Sequence, residues 1–105
     1  MKYLITESQF DKIIFKYLDN QDFIHIQYGV NDYFVNSEKD EYAQIRFNKK
    51  YRWCTITYDL LKEISSFFSI KFADALSIVN RWVENVFGIT SMTTDVQEGI
   101  IVYYF

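Results

Sequence analysis

The sequence is poor in the residues that mark disordered chains, disulfide scaffolds and metal sites. Its 105 residues include no proline, three glycines, one cysteine and one histidine. The shortage of proline and glycine argues against a disordered or linker-rich chain. Because Cys54 and His25 are the single members of their types, one chain can form neither an internal disulfide nor a zinc site of the usual His/Cys kind. The scattered glycines exclude a glycine-rich phosphate loop.

A strong excess of charge and a long apolar run are also missing. The formal net charge is -3 and the pI is about 5.0, whereas dedicated nucleic-acid binders usually carry a basic excess. No segment approaches the roughly 18 apolar residues of a membrane span. Residues 3–5 are too short for the apolar region of a signal peptide. We therefore expect a protein that is not secreted, does not enter a membrane, and lies in the cytoplasm or in a particle assembled inside a cell.

Apolar and aromatic residues are abundant. Apolar residues make up 50% of the chain and aromatic residues 20%, so we expect a core built largely from rings. A chain of 105 residues is long enough for one domain and too short for two. The prediction is a single α+β domain over residues 1–105, with an N-terminal helix, a four-stranded antiparallel meander, two helices and a C-terminal strand.

Residues 42–58 are predicted to form the β-hairpin around which the sheet is built. Apolar and polar side chains alternate along both arms, with the period of two expected for strands that have one buried face. The opposite face mixes amides, hydroxyls and Arg46 with aromatic rings, and its second arm starts at Tyr51. It is either a wet surface that contacts a partner or a surface that a second layer of the chain covers. The helices are expected to pack on the apolar face, formed by Ala43, Ile45, Phe47, Cys54 and Ile56.

Three segments have the apolar periodicity of amphipathic helices. Residues 6–20 begin with the capping-box pair Thr6 and Gln9. Residues 59–68 follow the hairpin after a cap at Thr57 or Asp59, and residues 72–87 end at Gly88. The stripes predicted to face the core include Ile13, Phe67 and Val86.

The remaining segments are predicted from alternation and turn residues. Residues 22–28 and 33–35 are predicted strands, and their short connections to each other and to the hairpin require antiparallel pairing. Residues 89–98 fit a strand or a loop equally well. Residues 100–105 form a continuous apolar run that is typical of a buried strand, which could join the meander or pair with another copy of the protein.

No catalytic, cofactor or metal motif is present, and we expect neither an enzyme nor a bound cofactor. The strand phases place His25 and Cys54 on opposite faces of the sheet, which argues against a nucleophile pair. The acidic residues Glu38, Asp40 and Glu41 lack the spacing of an EF-hand loop and are interpreted as solvated.

Basic residues beside aromatic rings mark the hairpin turn as the first candidate contact surface. Such a group is typical of protein–protein contacts, of surfaces that stack single-stranded nucleic acid, or simply of a solvated turn whose lysines protect a sheet edge. We favour a protein partner, with single-stranded nucleic-acid binding as the alternative. The residues are Tyr42, Arg46, Lys49, Lys50, Tyr51, Arg52 and Trp53.

The terminal apolar run is the second candidate surface, because an exposed strand edge invites pairing. The prediction is self-association, which makes the protein a non-catalytic interaction module and a homo-oligomer. The residues of this surface are Ile100, Ile101, Val102, Tyr103, Tyr104 and Phe105.

The opening of the chain also resembles a group of viral proteins. Met1 and Lys2, followed by Ile5-Thr6-Glu7 and Gln9, resemble the start of many small proteins of tailed bacteriophages. The pattern of apolar and polar residues over 67–89 is similar to that of their closing helix. The resemblance covers about a third of the chain and implies a virion component or a small host-directed accessory protein. It implies no functional residue.

Overall fold

The computed structural model describes residues 7–36, 41–89 and 92–102. Within these ranges the chain forms three helices and seven strands, which confirms the α+β prediction. The elements are α1 (Glu7–Asp19), β1 (Ile24–Tyr28), β2 (Asn31–Val35), β3 (Tyr42–Ala43), β4 (Ile45–Asn48), β5 (Trp53–Thr57), α2 (Tyr58–Phe68), α3 (Phe72–Phe87), β6 (Thr93–Gln97) and β7 (Ile100–Ile101).

The main sheet has five strands in the order β1-β2-β4-β5-β6. The first four pair antiparallel, as the predicted meander requires. Strand β6 pairs parallel to β5, with Thr55 opposite Asp95. A parallel pair needs a long crossover, which the α2–α3 segment between β5 and β6 supplies. The structure thus resolves the open choice at residues 89–98 by forming a strand over Thr93–Gln97.

The helices cover one face of the main sheet and form the larger core with it. Ile45, Cys54 and Ile56 are fully buried there, as the alternation predicts. Helix α3 is fixed to α1 by polar contacts as well as by packing. The Trp82 indole donates a hydrogen bond of 3.0 Å to Asp19, and an Arg81 amine lies 2.6 Å from an Asp11 carboxylate oxygen.

The predicted position of Ala43 is wrong, because the chain leaves the main sheet at Gln44. The Gln44 backbone amide donates to the Phe34 carbonyl at 2.8 Å, and its carbonyl accepts from the Thr57 amide at 2.9 Å. Strand β3 then pairs with β7 as a separate two-stranded sheet, with Ala43 opposite Ile100. Ala43 therefore packs on the outer face of the main sheet, in a second apolar cluster away from the helices.

The terminal run also belongs to this second cluster. Ile100 and Val102 are buried against Tyr33 and Val35, so the described part of the run pairs within the chain and does not extend the meander. The predicted contribution of Tyr103, Tyr104 and Phe105 lies outside the described residues.

The helix ends follow the predicted signals more closely than the helix faces do. Thr57 accepts a hydrogen bond from the Leu60 amide at 3.4 Å and caps α2, and Gly88 ends α3 with a φ of 65°. The predicted cap Thr6 lies outside the described residues. Ile13, Phe67 and Val86 are exposed, although their spacing placed them among core residues. Ile13 and Phe67 lie at the edges of their apolar stripes, and Val86 lies in the last turn of α3.

Candidate functional site

The outer face of the main sheet has a covered half and an open half. The β3–β7 pair lies over the covered half, where Tyr33 and Val35 are buried. The rest forms an open cleft of about 380 Å³. We name this surface the open face. Its residues are Asn31, Arg46, Asn48, Tyr51, Trp53, Thr55, Asp95 and Gln97.

Strand register aligns the polar residues of the open face in a row across the sheet. Arg46 on β4 lies opposite Thr55 on β5, and Thr55 lies opposite Asp95 on β6. Side chains that are paired across strands project from the same face. Arg46 and Asp95 are therefore separated by two strand spacings, about 10 Å between their backbones. A cation and an anion thus lie on one surface with a buried threonine between them.

The hairpin turn places two aromatic rings at the rim of this cleft. Asn48 Oδ1 accepts hydrogen bonds from the Lys50 amide at 3.0 Å and the Tyr51 amide at 3.1 Å, which holds the turn. The Trp53 side chain is 45% exposed and Tyr51 is 67% exposed. Tyr51 and Arg52 belong to the turn, contrary to the predicted strand, and Arg52 has a φ of 52°.

Several polar groups of the open face lack an ion-pair or hydrogen-bond partner among the described residues. An Arg46 guanidinium nitrogen donates to Thr55 Oγ1 at 3.3 Å, and none of the carboxylates in the described ranges forms an ion pair with Arg46. Asp95 Oδ1 and Asn31 Oδ1 are buried without a hydrogen-bond partner among the described residues. A buried acceptor without a donor costs on the order of 1–3 kcal/mol, so these two oxygens lower the stability of this part of the sheet.

The seven residues predicted around the hairpin do not form one site. Arg46, Tyr51 and Trp53 meet on the open face. The Lys50 ammonium lies 5.3 Å from the centre of the Tyr51 ring, at the rim of the cleft. Arg52 is exposed in the turn.

Two of the predicted residues lie elsewhere. Lys49 extends toward the other side of the sheet, where its ammonium is 3.5 Å from Asp32 Oδ2. Tyr42 lines a separate cleft beside Gly99. The sequence interpretation also missed Asp95, because it could not assign a strand to residues 89–98, and no local signal links Asp95 to Arg46.

The single histidine and cysteine do not form a catalytic pair. His25 stacks on Phe34, a member of the larger core, and thus lies on the same face as the buried Cys54, contrary to the predicted phases. Strands β2 and β4 separate the two residues. His25 Nε2 instead lies 2.6 Å from the buried Asp32 carboxylate. Burial, together with the charge of Asp95, raises the pKa of Cys54 to about 12, so the thiol stays protonated at neutral pH.

The described ranges contain no group of three or more His, Cys, Asp and Glu side chains that could hold a metal ion. No helix in those ranges is long and apolar enough to cross a membrane. Of the acidic residues interpreted as solvated, Glu41 is exposed, and Glu38 and Asp40 lie outside the described part of the chain.

The chain matches no protein-family model, no curated protein and no solved structure. The resemblance to phage proteins therefore stays a prediction. The proposal for function rests on the geometry of the open face.

Proposed function

We propose that this protein is a non-catalytic protein-interaction module that self-associates through its open face. The observation that carries the proposal is the joint position of Trp53 and Tyr51, two exposed rings beside a cleft that also contains Arg46. Trp, Tyr and Arg are the residues most enriched among those that dominate the binding energy of protein interfaces. A partner that covers these rings would remove apolar surface from water and could supply a carboxylate to Arg46, which forms no ion pair among the described residues.

The open face replaces the terminal run as the surface for self-association in this proposal. Ile100 and Val102 are buried inside the protomer, so they contribute to its own stability. Removal of residues 100–105 would open the second apolar cluster, and a loss of assembly after such a truncation would not distinguish an interface from unfolding. Substitution of exposed side chains on the open face avoids this difficulty.

The test compares two aromatic residues of nearly equal exposure. Tyr51 on the open face is 67% exposed and Phe67 on α2 is 69% exposed, so neither is required to fill a core. We expect the wild-type mass from light scattering, over a concentration series, to be that of an oligomer. Tyr51→Ala and Trp53→Ala should weaken the association at least about tenfold, whereas Phe67→Ala should not change it. A wild-type protein that stays monomeric at every concentration would refute self-association.

A second candidate function, binding of single-stranded nucleic acid, is favoured by one observation. The exposed rings of Tyr51 and Trp53 have Lys50 and Arg52 beside them, and such a combination can stack bases and contact phosphates. Binding to phosphates weakens steeply as salt rises, because counterions are released from the nucleic acid.

The two functions are separated by an oligonucleotide titration at low and high salt. The substitutions Lys50→Glu and Arg52→Glu leave the Lys49–Asp32 contact intact. Under our proposal the chain binds a mixed-sequence single strand weakly, and these variants still self-associate. Tight binding that falls with salt and disappears in both variants would favour the nucleic-acid function instead.

A further inference from the structure

We infer that two copies of the chain pack face to face about a two-fold axis parallel to β5, so that Arg46 of each copy pairs with Asp95 of the other. This inference rests on the proposed self-association and specifies how the two surfaces fit. It uses the polar row of the open face, in which Arg46, Thr55 and Asp95 occupy neighbouring strands.

The two charges of the row require an anion and a cation from a partner. The backbones of Arg46 and Asp95 are about 10 Å apart, as two strand spacings require. The Arg46 guanidinium extends along the row to Thr55, which lies between them. A second protein surface with the same spacing of opposite charges fits them both, and another copy of this chain presents such a surface.

Symmetry then selects the orientation of the second copy. In a two-fold interface the same patch meets itself, so the contact of residue i with residue j occurs twice. An axis parallel to β5 and above Thr55 exchanges the β4 side of the sheet with the β6 side. It therefore places each Arg46 opposite an Asp95. An axis that crosses the strands at right angles would instead place Arg46 opposite Arg46.

The chosen orientation also uses the other features of the open face. Trp53 lies on β5 itself, so the axis brings the two Trp53 rings together at the centre of the contact. The guanidinium of Arg46 in one copy meets the Asp95 carboxylate of the other copy, and this supplies an ion pair that Arg46 does not form with any described carboxylate of its own chain. Hydrogen bonds between a guanidinium and a carboxylate are stronger than neutral ones, so the two equivalent pairs fix the register of the interface.

Charge reversal provides the test. Arg46→Asp creates two Asp–Asp contacts across the axis, and Asp95→Arg creates two Arg–Arg contacts. Each single variant should associate about 100-fold or more weakly than the wild type, while circular dichroism shows that it is folded. An equal mixture of the two variants should form heterodimers, because every contact across the axis is again between opposite charges. The double variant should form homodimers for the same reason.

Cysteine pairing keeps the inference testable if Asp95→Arg does not fold. Because Cys54 is buried, new cysteines on the open face are the reactive ones. A mixture of Arg46→Cys and Asp95→Cys proteins should form a heterodimer cross-linked by a short bifunctional maleimide that spans about 10 Å, the distance between sheets packed face to face, whereas Arg46→Cys alone should form much less.

The possible outcomes separate the inference from the proposed function. A monomeric wild type would overturn both. An oligomeric wild type whose association is lost in Tyr51→Ala, but whose charge-reversed mixture stays monomeric and whose cysteine mixture does not crosslink, would overturn the two-fold arrangement alone. Rescue by the mixture together with the heterodimeric crosslink would establish it.

Discussion

The covered and open halves of the outer face belong to one sheet and are occupied in different ways. On the covered half, Tyr33 and Val35 are buried beneath Ala43 and Ile100, and the contact is apolar. On the open half the same sheet continues with charged, amide and hydroxyl groups, and Trp53 remains 45% exposed. The chain has therefore covered the part of this face where burial of apolar groups is favourable.

The physical reason for the difference is the cost of burying polar groups. A layer of chain over the apolar half gains the transfer of side chains from water with little polar desolvation. A layer over Arg46 and Asp95 would need a matched partner for each charge. The two-residue strands β3 and β7 do not extend that far. We expect the covered half to determine stability and the open half to determine association.

Among the substitutions that test this difference between the two halves, a change at Ile100 in the covered half should alter the stability of the fold most. Ile100→Ala should destabilise the fold by about 2–5 kcal/mol, because it leaves a cavity among buried side chains. Ile101 is its matched control, since it lies next in the same strand and is 52% exposed. Urea unfolding should show a change within about 0.5 kcal/mol for Ile101→Ala. Equal losses for both variants would contradict the role of the second cluster.

A smaller effect is expected at Thr57, which caps α2 and also contacts the outer layer. Its hydroxyl accepts from the Leu60 amide and donates to Gln44 Oε1 at 3.1 Å. Thr57→Ala should cost about 1 kcal/mol of stability through loss of the cap. Thr57→Ser retains the hydroxyl and should recover most of that loss in the same unfolding measurement. If the serine variant is as unstable as the alanine variant, then the methyl group rather than the cap is responsible.

The buried thiol of Cys54 on the helix-covered face should make the stability of the protein depend on pH. Burial raises the pKa of Cys54 from 9.0 to about 12, so the thiol of the unfolded chain loses its proton first as pH rises. The stabilisation from this group is fully present below about pH 9 and is lost progressively toward about pH 12. Between pH 9 and 10 the free energy of unfolding should fall by about 1 kcal/mol.

The Cys54→Ala variant is the control for this dependence. It should be less stable at all pH values, and it should lose most of the decline between pH 9 and 10. A smaller decline of about 0.3 kcal/mol should remain, because burial and a hydrogen bond to Glu63 raise the pKa of Tyr17 from 10.0 to about 12. A decline in the variant as large as that of the wild type would assign the effect to another group.

The smallest effect on stability is expected on the open face. Tyr51→Ala should change the free energy of unfolding by about 0.5 kcal/mol or less, because the side chain is mostly exposed in a turn. Unfolding measured at concentrations where the protein is monomeric would test this. A large loss of stability there would mean that the turn supports the fold, and the comparison between the two halves would fail.

The sequence was most informative where structure depends on neighbours along the chain. The predicted segment 72–87 coincides with α3 (Phe72–Phe87), and Thr57 and Gly88 act as the expected cap and end signals. The alternation in the hairpin correctly assigned Ile45, Cys54 and Ile56 to the helix-covered face. Part of the candidate site, Arg46 with Trp53, followed from the same alternation, whereas Tyr51 reaches the site from the turn.

By itself, then, the sequence determined the helical segments with the ends at Thr57 and Gly88, the antiparallel meander and the aromatic character of the open face, because hydrophobic period and capping chemistry act over a few residues. Only the tertiary structure decided that Ala43 faces away from the helices, that β6 adds parallel to β5, and that Asp95 shares a row with Arg46. Strand pairing is completed by backbone groups that are distant in the chain, so its direction and register leave no local signal.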